Sequence, residues 1–149
     1  MDPNQLLVEV TALAREAGRA ILEVYASSFS VQEKEDRSPL TEADLRSEKL
    51  ILAGLKRISP EIPVLSEEAA QAPYSTRRNW SRLWVVDPLD GTKEFIRGGE
   101  DYTVNIGLIS GGSPLLGAVF SPARATLHAG QACSRGDGAS PLEGAPQTT

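Results

Sequence analysis

Apolar side chains recur at steps of three and four over residues 4–26. Leu6, Val10, Leu13, Ala17, Ile21 and Val24 form the stripe, with Glu9, Arg15, Glu16 and Arg19 between them. That period predicts an amphipathic helix. A second helix is predicted over 42–58, with Leu45, Leu52 and Leu55 on one side and Ile51 and Ile58 broadening the stripe. Thr41 is its expected N-cap, and Ser59-Pro60 ends it. The polar stretch Lys34 to Leu40, which contains a proline, reads as a loop or a short edge strand.

The period then changes. Ile62-Pro-Val-Leu65 and Leu83-Trp-Val-Val86 are short apolar runs that each end abruptly in acidic residues. Both read as buried strands delivering carboxylates at their C-terminal ends. Tyr102 to Ile109 alternates, Ser110-Gly-Gly-Ser113 turns, and Leu115 to Phe120 runs back, which predicts a β-hairpin. From about Gly130 the pattern fails, and large apolar side chains almost vanish from a Gly-, Ala-, Pro- and Ser-rich end. The expected organisation is therefore a folded part over 1–128 and a divergent, disordered tail over 129–149.

Composition narrows the function. A chain of 149 residues suits one domain. Its 15 basic and 20 acidic side chains give a net charge of −5, which argues against general affinity for nucleic acid polymers. Bound cations can reverse the local field, so a phosphate compound is still a feasible ligand. Cys133 and His128 are single, so neither a disulfide within the chain nor a zinc site is available. No stretch is long and apolar enough to span a bilayer, and the N-terminus does not read as a signal peptide. The cytoplasm is the expected compartment.

The chemistry concentrates in Trp84-Val-Val-Asp87-Pro-Leu-Asp90-Gly-Thr92. The expected geometry is a buried strand ending at Asp87, a proline-fixed turn, and Asp90 three residues on. Two carboxylates so close can converge on one or two hard cations such as Mg²⁺, with the Leu89 carbonyl between them. Gly91 and Thr92 open a short predicted helix whose free N–H groups would face an anion over the metals. The same spacing also suits a polar turn with Asp90 as a helix cap. Glu67, in Leu65-Ser-Glu67-Glu68, reaches that cluster if the two strands are neighbours. Thr41-x-x-Asp44 has capping-box spacing, and Asp44 could instead accept a hydrogen bond from Thr92 or from an attacking water.

Three segments together carry a resemblance: Lys34 to Asp44, Ser66-Glu67-Glu68, and Asp87-Pro-Leu-Asp-Gly-Thr92. They resemble the signatures of the lithium-sensitive inositol monophosphatase superfamily, in its order and at about its spacing. Lys93-Glu94-Phe95 and Pro63 to Glu68 are similar to its CysQ-type branch of 3'(2'),5'-bisphosphate nucleotidases. The resemblance runs to about Leu127. It implies an α+β fold, a layered α/β sandwich of the sugar-phosphatase type represented by its N-terminal helix pair and first sheet. It implies two or more Mg²⁺ ions, one held by Glu67, Asp87 and the Leu89 carbonyl and another by Asp87 and Asp90. It further implies that Glu67 and Leu89 to Thr92 contact the substrate phosphate, and that Thr92 with Asp44 orients the nucleophilic water. The implied substrate is adenosine 3',5'-bisphosphate, cleaved to AMP and phosphate, which links the chain to sulfur assimilation. An inositol or sugar phosphate phosphatase and a catalytically inactive metal-binding module are the alternatives. The resembled family also suggests a peripheral place on the cytoplasmic face of the inner membrane.

Members of the resembled family continue past this length and carry a Trp-Asp-x-Ala-Ala-Gly motif with a further aspartate ligand, which nothing here matches. The chain is accordingly expected to be a fragment, a truncated form or a frame-shifted one, with little phosphatase activity of its own, and an uncovered sheet face would favour a homodimer.

Overall fold

Asp2 caps the first helix, α1 (Pro3–Tyr25): its side chain accepts from the Gln5 backbone N–H while the Gln5 side chain accepts from the Asp2 N–H. Pro3 sits in the first turn, where its missing N–H costs nothing. The six predicted stripe residues of α1 are all buried, each stabilising by about 1.5–3 kcal/mol for the larger side chains. The computed structural model describes residues 1–27, 31–34, 39–132 and 147–148, with the backbone alone at 31–33, 39 and 147–148.

Strands β1 (Val31–Glu33) and β2 (Pro39–Thr41) pair antiparallel. The stretch 34–40, expected as a loop or a short edge strand, ends in β2, and its residues 35–38 lie outside the described residues. Helix α2 (Glu42–Ile58) starts at the expected Thr41 cap. Of the predicted stripe, Ile51 and Leu55 are buried and Leu52 and Ile58 half-buried, but the buried face is wider than that stripe. Leu45 is 44% exposed, whereas Ala43, Asp44, Ser47, Glu48, Ile51, Gly54 and Leu55 are buried. Leu45 alone misdirects the reading, because the first turns of the helix bury polar groups instead, which periodicity of apolar residues does not register.

The remaining elements are β3 (Val64–Ser66), the one-turn α3 (Tyr74–Arg77), β4 (Arg82–Asp90), the short α4 (Thr92–Ile96), β5 (Thr103–Ser110), β6 (Ser113–Ser121), β7 (Thr126–Gln131) and β8 (Gln147–Thr148). One sheet takes β3 to β8 in chain order. Only its first pair is parallel, β3 against β4; the others are antiparallel. Gly111 and Gly112, both at positive φ, close the predicted β5–β6 hairpin, a conformation that L side chains resist.

Helix α1 lies across β5, β6 and β7, and α2 lies on β4. Trp84, Val86, Val104, Ile106, Leu108, Leu116, Ala118 and Phe120 face them as the core. Trp84 is fully buried and donates its indole N–H to Ser59 Oγ at 2.8 Å, joining the sheet to the end of α2. The opposite face carries Val85 and Val119, 38% and 41% exposed.

Two expected limits fall inside strands. The boundary at 128 lies within β7, where His128 pairs with Val119 and Gly130 with Gly117. The ladder there is carried by backbone pairing, so small side chains did not announce it. Gln147 and Thr148 pair with Leu127 and Thr126; residues 133–146 and 149, where the disordered tail is expected, lie outside the described residues. The second limit is at Asp87. The strand does not stop there but runs to Asp90. Among the described residues no helix is long and apolar enough to cross a membrane.

Candidate metal and phosphate site

The predicted turn between Asp87 and Asp90 is a bulge within β4. Asp87 pairs with Asn105 and Asp90 with Thr103, so three steps on β4 oppose two on β5. In an even strand, residues three apart face opposite sides. The extra residue returns Asp90 to the side of Asp87, as bulges beside functional sites often do. Leu89 N–H donates to Asp87 Oδ1 at 3.3 Å, and Asn105 Nδ2 donates to Asp90 Oδ2 at 3.4 Å.

Glu67 arrives from the neighbouring strand. Because β3 runs parallel to β4 with Ser66 opposite Val86, the next residue on each strand is an acid. The Glu67 N–H donates to the Val86 carbonyl at 3.2 Å, which fixes that register. The condition set by the sequence, that the two strands be neighbours, is met.

Gly91 turns the chain from β4 into α4. Its φ of +94° suits glycine, and a Cβ there would stand 2.5 Å from the Asp101 carbonyl. Thr92 follows, and its Oγ1 donates to Asp44 Oδ1 at 2.8 Å. Asp44 is fully buried and does not line the cavity in front of Thr92. Of the two partners open to Asp44, the structure therefore shows Thr92.

Lys34, Glu67, Glu68, Asp87, Leu89, Asp90, Gly91, Thr92 and Lys93 line one cavity of about 240 Å³. The other six predicted site residues thus share a single pocket, with Asp44 behind it. Lys34 Nζ pairs with Glu68 Oε1 at 2.6 Å and joins Lys93 at the pocket wall. Neither lysine was given a role from sequence, although Lys34 opens the first of the motif segments. A larger apolar cavity, about 520 Å³, lies on the outer sheet face, and among the described residues His128 is the only ionisable one in its lining. Its lining offers little for phosphate chemistry, so the smaller pocket is the better candidate.

Burial, a hydrogen-bond contact with Glu67, and the charges of Glu67 and Asp90 push Asp87 up to about 7. Carboxylates crowded in this way call for a counter-charge. Among the described residues, no three His, Cys, Asp or Glu side chains close on one point as a ready metal cage. The donor set nevertheless suits Mg²⁺, which takes hard oxygen ligands from one or two carboxylates and fills the rest of its octahedron with water and phosphate.

The inositol monophosphatase family model matches residues 2–146. The chain belongs to the inositol monophosphatase family. It is 47% identical over 125 residues to the 3'(2'),5'-bisphosphate nucleotidase CysQ of Salmonella typhimurium, a match covering 83% of this chain and 50% of that protein. The crystal structure of CysQ from Bacteroides thetaiotaomicron superposes with a TM-score of 0.73 at 39% identity, over 91% of this chain and 48% of that one. The extragenic suppressor protein suhB from Bartonella henselae does so at 0.78 and 28%, over 91% and 51%. The α+β fold is that of this family. The chain spans about half the length of the curated relatives it matches.

Proposed function

We propose that this chain carries the metal- and phosphate-binding part of a Mg²⁺-dependent phosphomonoesterase that removes the 3'-phosphate of adenosine 3',5'-bisphosphate, giving AMP and phosphate. The observation that carries the reading is the meeting of Glu67, Asp87 and Asp90 with the Thr92–Asp44 pair around one small cavity, from segments far apart in sequence. The substrate follows from the 47% identity to a CysQ nucleotidase together with the Lys93-Glu94-Phe95 run, and it ties the protein to sulfur assimilation.

In this reading Glu67, Asp87, the Leu89 carbonyl and Asp90 hold two Mg²⁺ ions. Bound Mg²⁺ supplies Lewis acidity and neutralises charge on the phosphate. Residues Leu89 to Thr92 seat the phosphate, because the N–H groups of the first turn of α4 have no partner inside the helix. Thr92 orients the attacking water. Its hydroxyl has one proton, donated to Asp44, so its lone pairs are left to accept from that water. The pull directs a lone pair of the water towards phosphorus.

The test is phosphate release with Mg²⁺ from adenosine 3',5'-bisphosphate and from inositol 1-phosphate by this chain, wild type and Asp87→Asn. Each is mixed with a separately expressed C-terminal half of a full-length relative, since the chain spans about half the relatives' length. The nucleotide should give the higher kcat/KM, and Asp87→Asn should remove the activity. A preference for inositol 1-phosphate would move the assignment to the inositol side of the family, and equal turnover by Asp87→Asn would remove that carboxylate from the site.

A further inference from the structure

Helix α2 buries three polar side chains on one face, at successive core-facing positions: Asp44, Ser47 and Glu48. Their spacing of three and four residues continues directly into Ile51 and Leu55. An apolar face would pack the helix against the sheet at less cost, since a buried polar group is unfavourable unless bonded. Each of the three is bonded, and each to a different segment of the site. Asp44 takes the Thr92 hydroxyl at the start of α4. Ser47 Oγ donates to the Pro88 carbonyl at 2.6 Å, inside the β4 bulge. Glu48 Oε1 accepts from Ser66 Oγ at 2.8 Å, at the last residue of β3.

Two of these bonds address local problems that the site creates. A bulge interrupts the sheet ladder, so the Pro88 carbonyl, between Asp87 and Asp90, needs a partner from elsewhere. The Ser47 hydroxyl supplies it from the helix side. In β3, neighbouring side chains point to opposite faces. Holding Ser66 inward against Glu48 therefore turns Glu67, the next residue, towards the carboxylates of β4.

We infer that Ser47 and Glu48 are positioning residues, which set the spacing between Glu67 and the Asp87–Asp90 pair without themselves touching metal or phosphate. The inference deepens the function proposed above and rests on it. Helix α2 acts as a template: its rigid turn converts the fixed separation of residues 44, 47 and 48 into a fixed separation of three chain segments that carry the ligands. Groups that orient metal ligands from behind commonly govern metal affinity by about 10- to 100-fold.

The experiment is Mn²⁺ binding to the full chain, read by the loss of the free-ion paramagnetic resonance signal, beside urea unfolding in EDTA. Ser47→Ala and Glu48→Met should each weaken Mn²⁺ binding by about 10-fold or more. Glu48→Gln keeps an oxygen acceptor for Ser66 and should bind within about threefold of wild type. Ser66→Ala breaks the same bond from the strand side and replaces Glu48→Met if that variant does not fold. Wild-type binding matched by Ser47→Ala and by Glu48→Met or Ser66→Ala, with only the unfolding midpoints moved, would overturn the inference and leave the proposed function standing. Absence of Mn²⁺ binding by the wild type would overturn the proposed function and this inference with it.

Discussion

Thr92 Oγ1 donates to Asp44 Oδ1 at 2.8 Å, while Asp44 Oδ2 accepts from both the backbone N–H and the hydroxyl of Thr41, at 2.9 and 2.5 Å. One carboxylate thus does both things its sequence spacing allows. Its Oδ2 closes the cap of its own helix, and its Oδ1 orders the hydroxyl at the mouth of the cavity.

That division predicts different outcomes for two variants. In Asp44→Asn the amide oxygen can keep the cap, where only an acceptor fits, which leaves the NH₂ facing Thr92. The Thr92 hydroxyl would then accept from the amide with one of its two lone pairs and turn its proton to the Leu89 carbonyl, 3.4 Å away, which misdirects the lone pair left for a water. The variant should stay within about 1 kcal/mol of wild type in urea unfolding while phosphate release in the presence of the relative's C-terminal half falls about 10²- to 10⁴-fold. Thr92→Val leaves buried Asp44 Oδ1 without its partner and should cost about 1–3 kcal/mol in the same unfolding experiment. Unchanged turnover in Asp44→Asn would detach this pair from catalysis.

Asp87 gives a pH dependence with a definite sign. Its folded pKa, about 7, lies above the ordinary 3.8. Between these values the folded state holds more protons than the unfolded one, so stability falls as pH rises through the window. Each tenfold difference in proton affinity between the two states corresponds to about 1.4 kcal/mol. Asp87 is partly exposed and screened by water, so a loss of about 1–2 kcal/mol is expected rather than the whole difference between the two values. Urea midpoints in EDTA should therefore drop from pH 4.5 to pH 7.5 more in the wild type than in Asp87→Asn. Added Mg²⁺ at pH 7.5 should raise the wild-type midpoint, because a ligand of the folded state alone stabilises it. Parallel pH curves for the two proteins would contradict the crowding of these carboxylates.

The sequence made the α1 stripe, the Thr41 cap, the β5–β6 hairpin and the acidic cluster legible because each depends on neighbours within a few residues. The carboxylates needed one fact beyond that range, the adjacency of β3 and β4, and the parallel register supplies it. The bulge was misread as a turn because an extra residue in a ladder shows only against the partner strand. Ser47 and Glu48 were missed for a related reason. They occupy core-facing positions of an amphipathic helix, and their partners lie 41 and 18 residues away. The signal available was the conflict itself, polar residues where the period calls for apolar ones.

Gly91 shows how narrowly the turn into α4 is built. Its φ of +94° and the Asp101 carbonyl 2.5 Å from a notional Cβ oppose any side chain. Gly91→Ala should lower stability by about 2 kcal/mol or more, since strain in the left-handed region adds to a contact with backbone that cannot rotate away. The displaced segment adjoins Asp90, one of the proposed metal ligands, so Mn²⁺ binding should weaken as well. Gly111→Ala is the comparison: its φ is +57° but nothing lies within 4 Å of the added carbon. It should cost only about 1 kcal/mol and leave metal binding alone. Equal losses at the two glycines would show that backbone strain alone, and not the Asp101 contact, sets the cost at Gly91.

Trp84 ties the sheet to the end of α2. It is fully buried, and its indole N–H donates to Ser59 Oγ at 2.8 Å, while Ser59 Oγ itself donates to the Leu55 carbonyl at 3.1 Å. The hydroxyl proton of Ser59 is thus committed to the helix, and its lone pair is what the indole uses. Trp84→Phe removes the donor and part of the ring volume together. The lost hydrogen bond contributes about 1 kcal/mol, and the cavity left in a packed interior adds about 1–3 kcal/mol. A total of about 2–4 kcal/mol should appear as a lower urea midpoint with an unchanged slope, because the folded and unfolded surfaces differ by nearly the same amount. The effect on Mn²⁺ binding should be small. The β3–β4 register is held by backbone bonds such as Trp84 N–H to the Pro63 carbonyl at 2.9 Å and Glu67 N–H to the Val86 carbonyl at 3.2 Å, which the substitution leaves in place. A large loss of metal affinity in folded Trp84→Phe would mean that α2 is aligned on the sheet through Ser59 rather than through the polar face at Asp44, Ser47 and Glu48.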